Sequence, residues 1–129
     1  MKARIARFAA LLAACALVAQ SAVAHHSTNG LYNEDVMVEL KGTVKAWRFI
    51  NPHPSLKLEV IDDKGVMHVW DVSYGGSAVS HLRKRGYSAT TFKPGETIIV
   101  KGHPTVLADA YGLLMETEDP RHEDGTPFP

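Results

Sequence analysis

Past residue 35, apolar residues recur at every second position, and that period leaves little room for anything but strands. In "VMVELKGTVKAWRFI", Val36, Val38 and Leu40 alternate with Met37, Glu39 and Lys41, and Val44 and Ala46 resume the pattern after Gly42. Trp47, Phe49 and Ile50 follow. One long strand with a bulge or bend at Gly42 accounts for the pattern. "NPHP" (Asn51 to Pro54) ends it, because its prolines bar helix and central-strand pairing. "SLKLEVID" alternates again, with Leu56, Leu58 and Val60 on one face. Asp63-Lys64-Gly65 makes a hairpin turn into a third strand, with Val66, His68, Trp70 and Val72 on one face.

After Gly75-Gly76 the period changes. "AVSHLRKRG" reads as a short helix with Ser77 as its cap, Val79 and Leu82 inward, basic residues in its last turn and Gly86 as its stop. A turn at Pro94-Gly95 leads to "TIIVKGHP" and "YGLLMETE", a fourth and fifth strand joined by a loop that holds Asp109. Three strands, a helix and two strands, with the first strand bent, predict a mostly β fold: a small OB-like five-stranded barrel with one short helix between strands 3 and 4. Another small barrel and a small sandwich are the alternatives. The expected core is Val38, Leu40, Val44, Leu56, Leu58, Val60, Trp70, Val72, Leu82, Ile98, Val100, Leu113 and Met115. The barrel with an N-terminal arm takes residues 25–118. The tail 119–129, "DPRHEDGTPFP", is polar and proline-rich and is expected to be loosely ordered.

The first 24 residues have another pattern. Lys2, Arg4 and Arg7 precede an uncharged apolar run from Phe8 to Ala19, and Ala22-Val23-Ala24 is a small-x-small site. This is the layout of a secretory signal peptide, 1–24, and it predicts a periplasmic protein. The run is shorter than the roughly 20 residues a spanning helix needs, so the chain is not expected to span a membrane. Leu12-Ala13-Ala14-Cys15 spells a lipoprotein box, but the apolar run continues after Cys15 where a lipoprotein turns polar. Cleavage after Ala24 removes Lys2, Arg4, Arg7 and the sole cysteine. The 14 Lys+Arg fall to 11 against 14 Asp+Glu, a formal charge of −3 with His neutral. That balance excludes a phosphate-backbone binder, which needs clustered Lys and Arg.

Taken together, "AHHS", "LKGTV", "INPHP", the Trp70 strand followed by "GGS", "LRKRGY" and "KPGE…VKGHP" resemble a family of small exported bacterial proteins of unknown function. The resemblance implies a periplasmic OB-like barrel and supplies no catalytic residues.

The sequence offers no catalytic set. Ser73, Ser77 and Ser80 sit in no nucleophile elbow, and no HExxH, CxxC or phosphate loop occurs. The expected protein is not an enzyme. Histidine is the unusual residue: all seven lie beyond residue 24. His68 reads as a barrel-wall residue, and His81, His103 and His122 as surface residues. His25 and His26 differ if the cut follows Ala24. The α-amino group, with pKa about 7.7–8.0, then chelates a metal together with the His25 imidazole, and His26 adds a second ring. A nitrogen-rich set suits Cu(II) best. His53, stiffened by Pro52 and Pro54, is the expected third ligand, so the candidate metal site is His25, His26 and His53. The competing expectation is a metal-free module that docks an envelope protein through Trp47, Phe49 and Tyr74.

Overall fold

The computed structural model describes residues 30–115 and 118–129. It contains strands β1 (Val38–Arg48), β2 (Ser55–Ile61), β3 (Met67–Ser73), helix α1 (Val79–Lys84), and strands β4 (Thr97–Pro104), β5 (Gly112–Leu114) and β6 (Arg121–His122). Neighbouring strands run β1-β2-β3-β5-β4-β6, and β1 also pairs with β4. That second pairing closes five strands into a barrel of OB order, with the helix between β3 and β4 as expected. All neighbours are antiparallel except β3 and β5, which are parallel.

Closure depends on β1 serving two partners. Val38 to Thr43 pair with β4, and Thr43 to Arg48 pair with β2. The handover falls at Thr43, beside buried Gly42. A Cβ on Gly42 would stand 2.8 Å from Val60 Cγ2 and 2.9 Å from the Glu59 carbonyl oxygen, so only glycine lets β1 pass this close to β2. The bulge itself lies further on, at the register shift between Val44 and Ala46. Gly42 is therefore the site of close approach, and Lys45 supplies the extra residue.

Ser77 does not cap the helix. The first helical turn is flanked by Ala78 and carries no side-chain cap, while the Ser77 amide donates to the Tyr74 carbonyl oxygen and closes the preceding turn. The other end follows the sequence. Gly86 has φ +94°, its amide donates to Arg83 O, and the Tyr87 amide donates to Leu82 O. This pair of bonds is a Schellman stop, and Leu82 and Tyr87, both buried, supply its apolar contact.

The core contains Val44, Leu56, Leu58, Val72, Leu82, Ile98, Val100, Leu113 and Met115, with Val38, Leu40, Val60 and Trp70 packed against it. Val66, expected to face inward, is half exposed because β3 begins only at Met67. The aromatic residues are the larger departure. Trp47 packs edge-on against Phe92 at 5.0 Å, and lies 5.5 Å from Phe49 and 5.6 Å from Tyr74. Its indole N–H donates to the Ser88 carbonyl oxygen at 2.7 Å. Tyr74 is buried. The three proposed docking anchors thus belong to an internal aromatic cluster that includes Tyr87 and Phe92 of the α1–β4 connection. A half-buried indole with a satisfied N–H is a packing residue.

The tail is also ordered by the core. Phe128 is buried 4.7 Å from Phe92, and His122 stacks on it at 3.8 Å. Pro120 is fully buried. Residues 121–127 fold back on themselves: the His122 amide donates to Thr126 O, and Asp124 accepts from the Thr126 amide and hydroxyl. β6 pairs with Ile98 and Ile99 of β4.

Candidate functional site at the open end of the barrel

The inward rows of β1, β2 and β3 run out to solvent at Leu40, Val60 and His68, at the opposite end of β3 from the helix. There they line, with Trp70, Tyr111 and the β2–β3 turn, an open cavity of about 430 Å³ rimmed by Glu39, Lys41 and Asp63. A barrel mouth of this size is a standard place for a ligand.

Two polar groups in the mouth, Asp62 and His68, are fixed by their neighbours. Asp62 opens the β2–β3 turn, and its Oδ1 accepts from the Lys64 amide at 2.9 Å and the Val66 amide at 2.8 Å. Its Oδ2 lies 3.0 Å from His68 Nε2. The bond to His68, followed by the Val66 amide, holds the Asp62 carboxyl below the ordinary carboxylate range. An ionised carboxylate only accepts, so His68 donates through Nε2–H, and a neutral ring keeps Nδ1 as a lone-pair donor. Nδ1 has no partner among the described residues. Tyr111, from the β4–β5 loop, stacks on the His68 ring at 4.1 Å and meets Trp70 edge-on at 5.5 Å. The result is an oriented imidazole on an aromatic wall.

Of the expected metal ligands, the structure describes only His53. His25 and His26 lie outside the described residues. His53 is exposed in the β1–β2 loop, at the start of β2, whereas the mouth lies at its end. Seven residues of strand, roughly 20 Å, separate the two ends. Among the described residues no three His, Cys, Asp or Glu side chains stand together as a metal site. His103 Nδ1 is 2.8 Å from the Val36 carbonyl oxygen, and His122 is stacked on Phe128.

The N-terminal arm runs along β4. Its Asn33 amide donates to Pro104 O, Tyr32 bridges Thr105, and Leu31 O accepts from the Val106 amide. The arm therefore extends β1 backwards along β4 and leaves toward the tip of the β4–β5 loop, the loop that carries Tyr111. Sequence reasoning treated Asp62, His68 and Tyr111 separately. The signal that joins two of them was available: a hairpin whose turn starts at Asp62 brings residue 68 back opposite Val60, beside it.

A closed five-stranded barrel with an aromatic mouth at one end and a helix following the other end of β3 defines a small OB-type barrel. The chain belongs to the family of unknown function DUF6152, which matches residues 13–114, a span that holds the mouth and stops short of the tail. No curated protein matches the chain. Among the described residues, no helix is long and apolar enough to cross a membrane.

Proposed function

We propose that this chain is an exported, non-enzymatic barrel that binds a copper(II) ion at the amino terminus of its mature form, beside the mouth. The observation that carries this reading is the course of the arm: Leu31 to Asn33 run along β4 beside Pro104 to Val106, toward the loop that carries Tyr111 of the mouth. The signal-peptide layout of residues 1–24 supports export, and with it the free amine. The mouth supports a binding role over a catalytic one. Asp62 and His68 pair as in a hydrolase, yet among the described residues no serine, threonine or cysteine lines the cavity to act as nucleophile. Mature protein beginning at His25 should bind one Cu(II) more tightly than the same chain with one alanine added before His25. Equal affinities would remove the amine from the site and the reading with it.

A second reading has its own observation. Ile61, Val66 and Met67 at the β2–β3 tip are 70%, 50% and 53% exposed, and Ile61 also lines the mouth. An apolar patch there suits an extended apolar segment of an envelope protein. In that case Met67→Lys, which disturbs no buried contact, should abolish retention of the partner while leaving the melting temperature unchanged. Retention undiminished by the lysine would exclude this face.

A further inference from the structure

We infer that the barrel mouth binds an organic cation, an alkylammonium whose stem rests on the aliphatic floor and whose charged head meets Trp70, Tyr111 and the carboxylates of Asp62 and Asp63. This goes beyond the copper reading and shares no ligand with it: every group it needs belongs to the described fold.

Charge points to a cation. Four ionisable side chains of opposite signs line the mouth besides His68: Glu39, Lys41, Asp62 and Asp63. Two of them are committed elsewhere. Lys41 pairs with Glu123 at 2.7 Å and Glu39 with Arg121 at 2.5 Å, both partners lying on the tail. Asp62 and Asp63 remain. Asp62 is ionised, its carboxyl held below the ordinary range first by the bond from His68 and then by the Val66 amide. Among the described residues neither aspartate pairs with a lysine or arginine; the partner of Asp62 is the His68 ring, which donates to it while neutral. The mouth thus carries two negative charges that its own basic residues leave uncompensated.

The wall points the same way. Trp70 and Tyr111 meet at 63° with centroids 5.5 Å apart, so their rings form a corner. The face of an aromatic ring attracts a cation, that of indole most strongly. His68 stacks on Tyr111 at 4.1 Å and braces the tyrosine ring from one side. Tyr111 is still 39% exposed, which leaves the corner open to a ligand. Leu40, Val60 and Ile61 supply apolar surface for a methylene stem. A carboxylate or phosphate ligand is repelled by the two aspartates. A neutral polyol could stack on the rings but gains nothing from the charges.

The test is a titration of the purified protein, kept metal-free by a chelator, with n-butylammonium, followed by nuclear magnetic resonance of the two indole N–H signals. The Trp70 signal should move. That of Trp47, which donates to Ser88 O and does not line the mouth, should stay in place. n-Butanol and butyrate, with the same four carbons, should bind at least tenfold more weakly. Tyr111→Leu should weaken n-butylammonium binding about tenfold, and Tyr111→Phe should preserve it. Asp62→Asn keeps an oxygen for the turn amides; combined with Asp63→Asn it should weaken binding about tenfold and remove its salt dependence. A melting curve establishes that each variant is folded. n-Butanol binding as tightly as n-butylammonium would overturn the assignment, as would undiminished binding in the folded double asparagine chain or a shift of Trp47 in place of Trp70. N-acetyl-lysine amide carries the same butylammonium on a peptide unit and separates the two sources of the ligand: binding equal to that of n-butylammonium identifies a protein lysine, and weaker binding a free amine. With the chelator present throughout, failure of this site leaves the copper reading standing, and failure of the copper reading leaves this site standing.

Discussion

Phe128→Ala should lower the free energy of unfolding by about 3–5 kcal/mol, the usual result of emptying a phenylalanine site in a packed core. For a domain of this size that is a fall in Tm of more than about 10 °C. Phe128 is 5% exposed and sits against Phe92 and His122, in a cluster that reaches Tyr87 and Trp47. The ion pairs that accompany the tail, Lys41–Glu123 and Arg121–Glu39, are on the surface and contribute little by comparison. Glu123→Ala is therefore expected to shift the melting curve only slightly. A thermal melt of both variants checks the contrast, and a Phe128→Ala chain as stable as the parent would show that the tail adds nothing to the core.

Raising the pH above about 10 should unfold the barrel, with two tyrosines ionising only as it opens. Burial pushes the Tyr74 hydroxyl well above its ordinary value of 10.0, and Tyr87 is raised by burial and by the hydrogen bond it donates to Asp119. Both are protonated in the fold at pH values where an unfolded chain has lost the proton. Their contribution to stability is complete below pH 10 and is lost as pH climbs toward the raised folded values. Each tyrosine then removes up to about 1.4 kcal/mol per pH unit between its unfolded and its folded value. Tyrosinate absorbance should rise in step with the loss of circular dichroism for these two of the chain's four tyrosines. All four titrating near pH 10 in an intact barrel would contradict the burial described.

The strands were legible because their inward residues are aliphatic and strictly alternate. Leu56, Leu58 and Val72 could be placed in the core from period alone. The aromatic residues were harder. Tyr74, Tyr87 and Phe92 fall in turns and connections where no period applies, and their burial depends on how α1 folds over the barrel. Trp47 and Phe49 look like surface anchors next to a proline loop until Ser88 is brought under the indole. The tail defeats composition for a similar reason: one phenylalanine among ten polar, proline or glycine residues is enough to seat it once Asp124 and Gly125 turn the chain. Ser77 has the right chemistry for a cap, but its amide is already committed to the Tyr74 turn. At the mouth, the residue types were visible and the juxtaposition was not. Asp62 and His68 meet through a hairpin, whereas Tyr111 arrives through a parallel pairing of β3 with β5, a contact between segments some forty residues apart that no local pattern encodes.

The double duty of β1 also has a kinetic consequence. Val38 finds its partner at Gly102, so the barrel cannot close until most of the chain is present, and many of its contacts join distant segments. Topologies of this kind fold in milliseconds to seconds, orders of magnitude slower than helical bundles. Under the export proposed above, that delay is an advantage: the same pairing that finally locks the barrel leaves the chain pliable during passage.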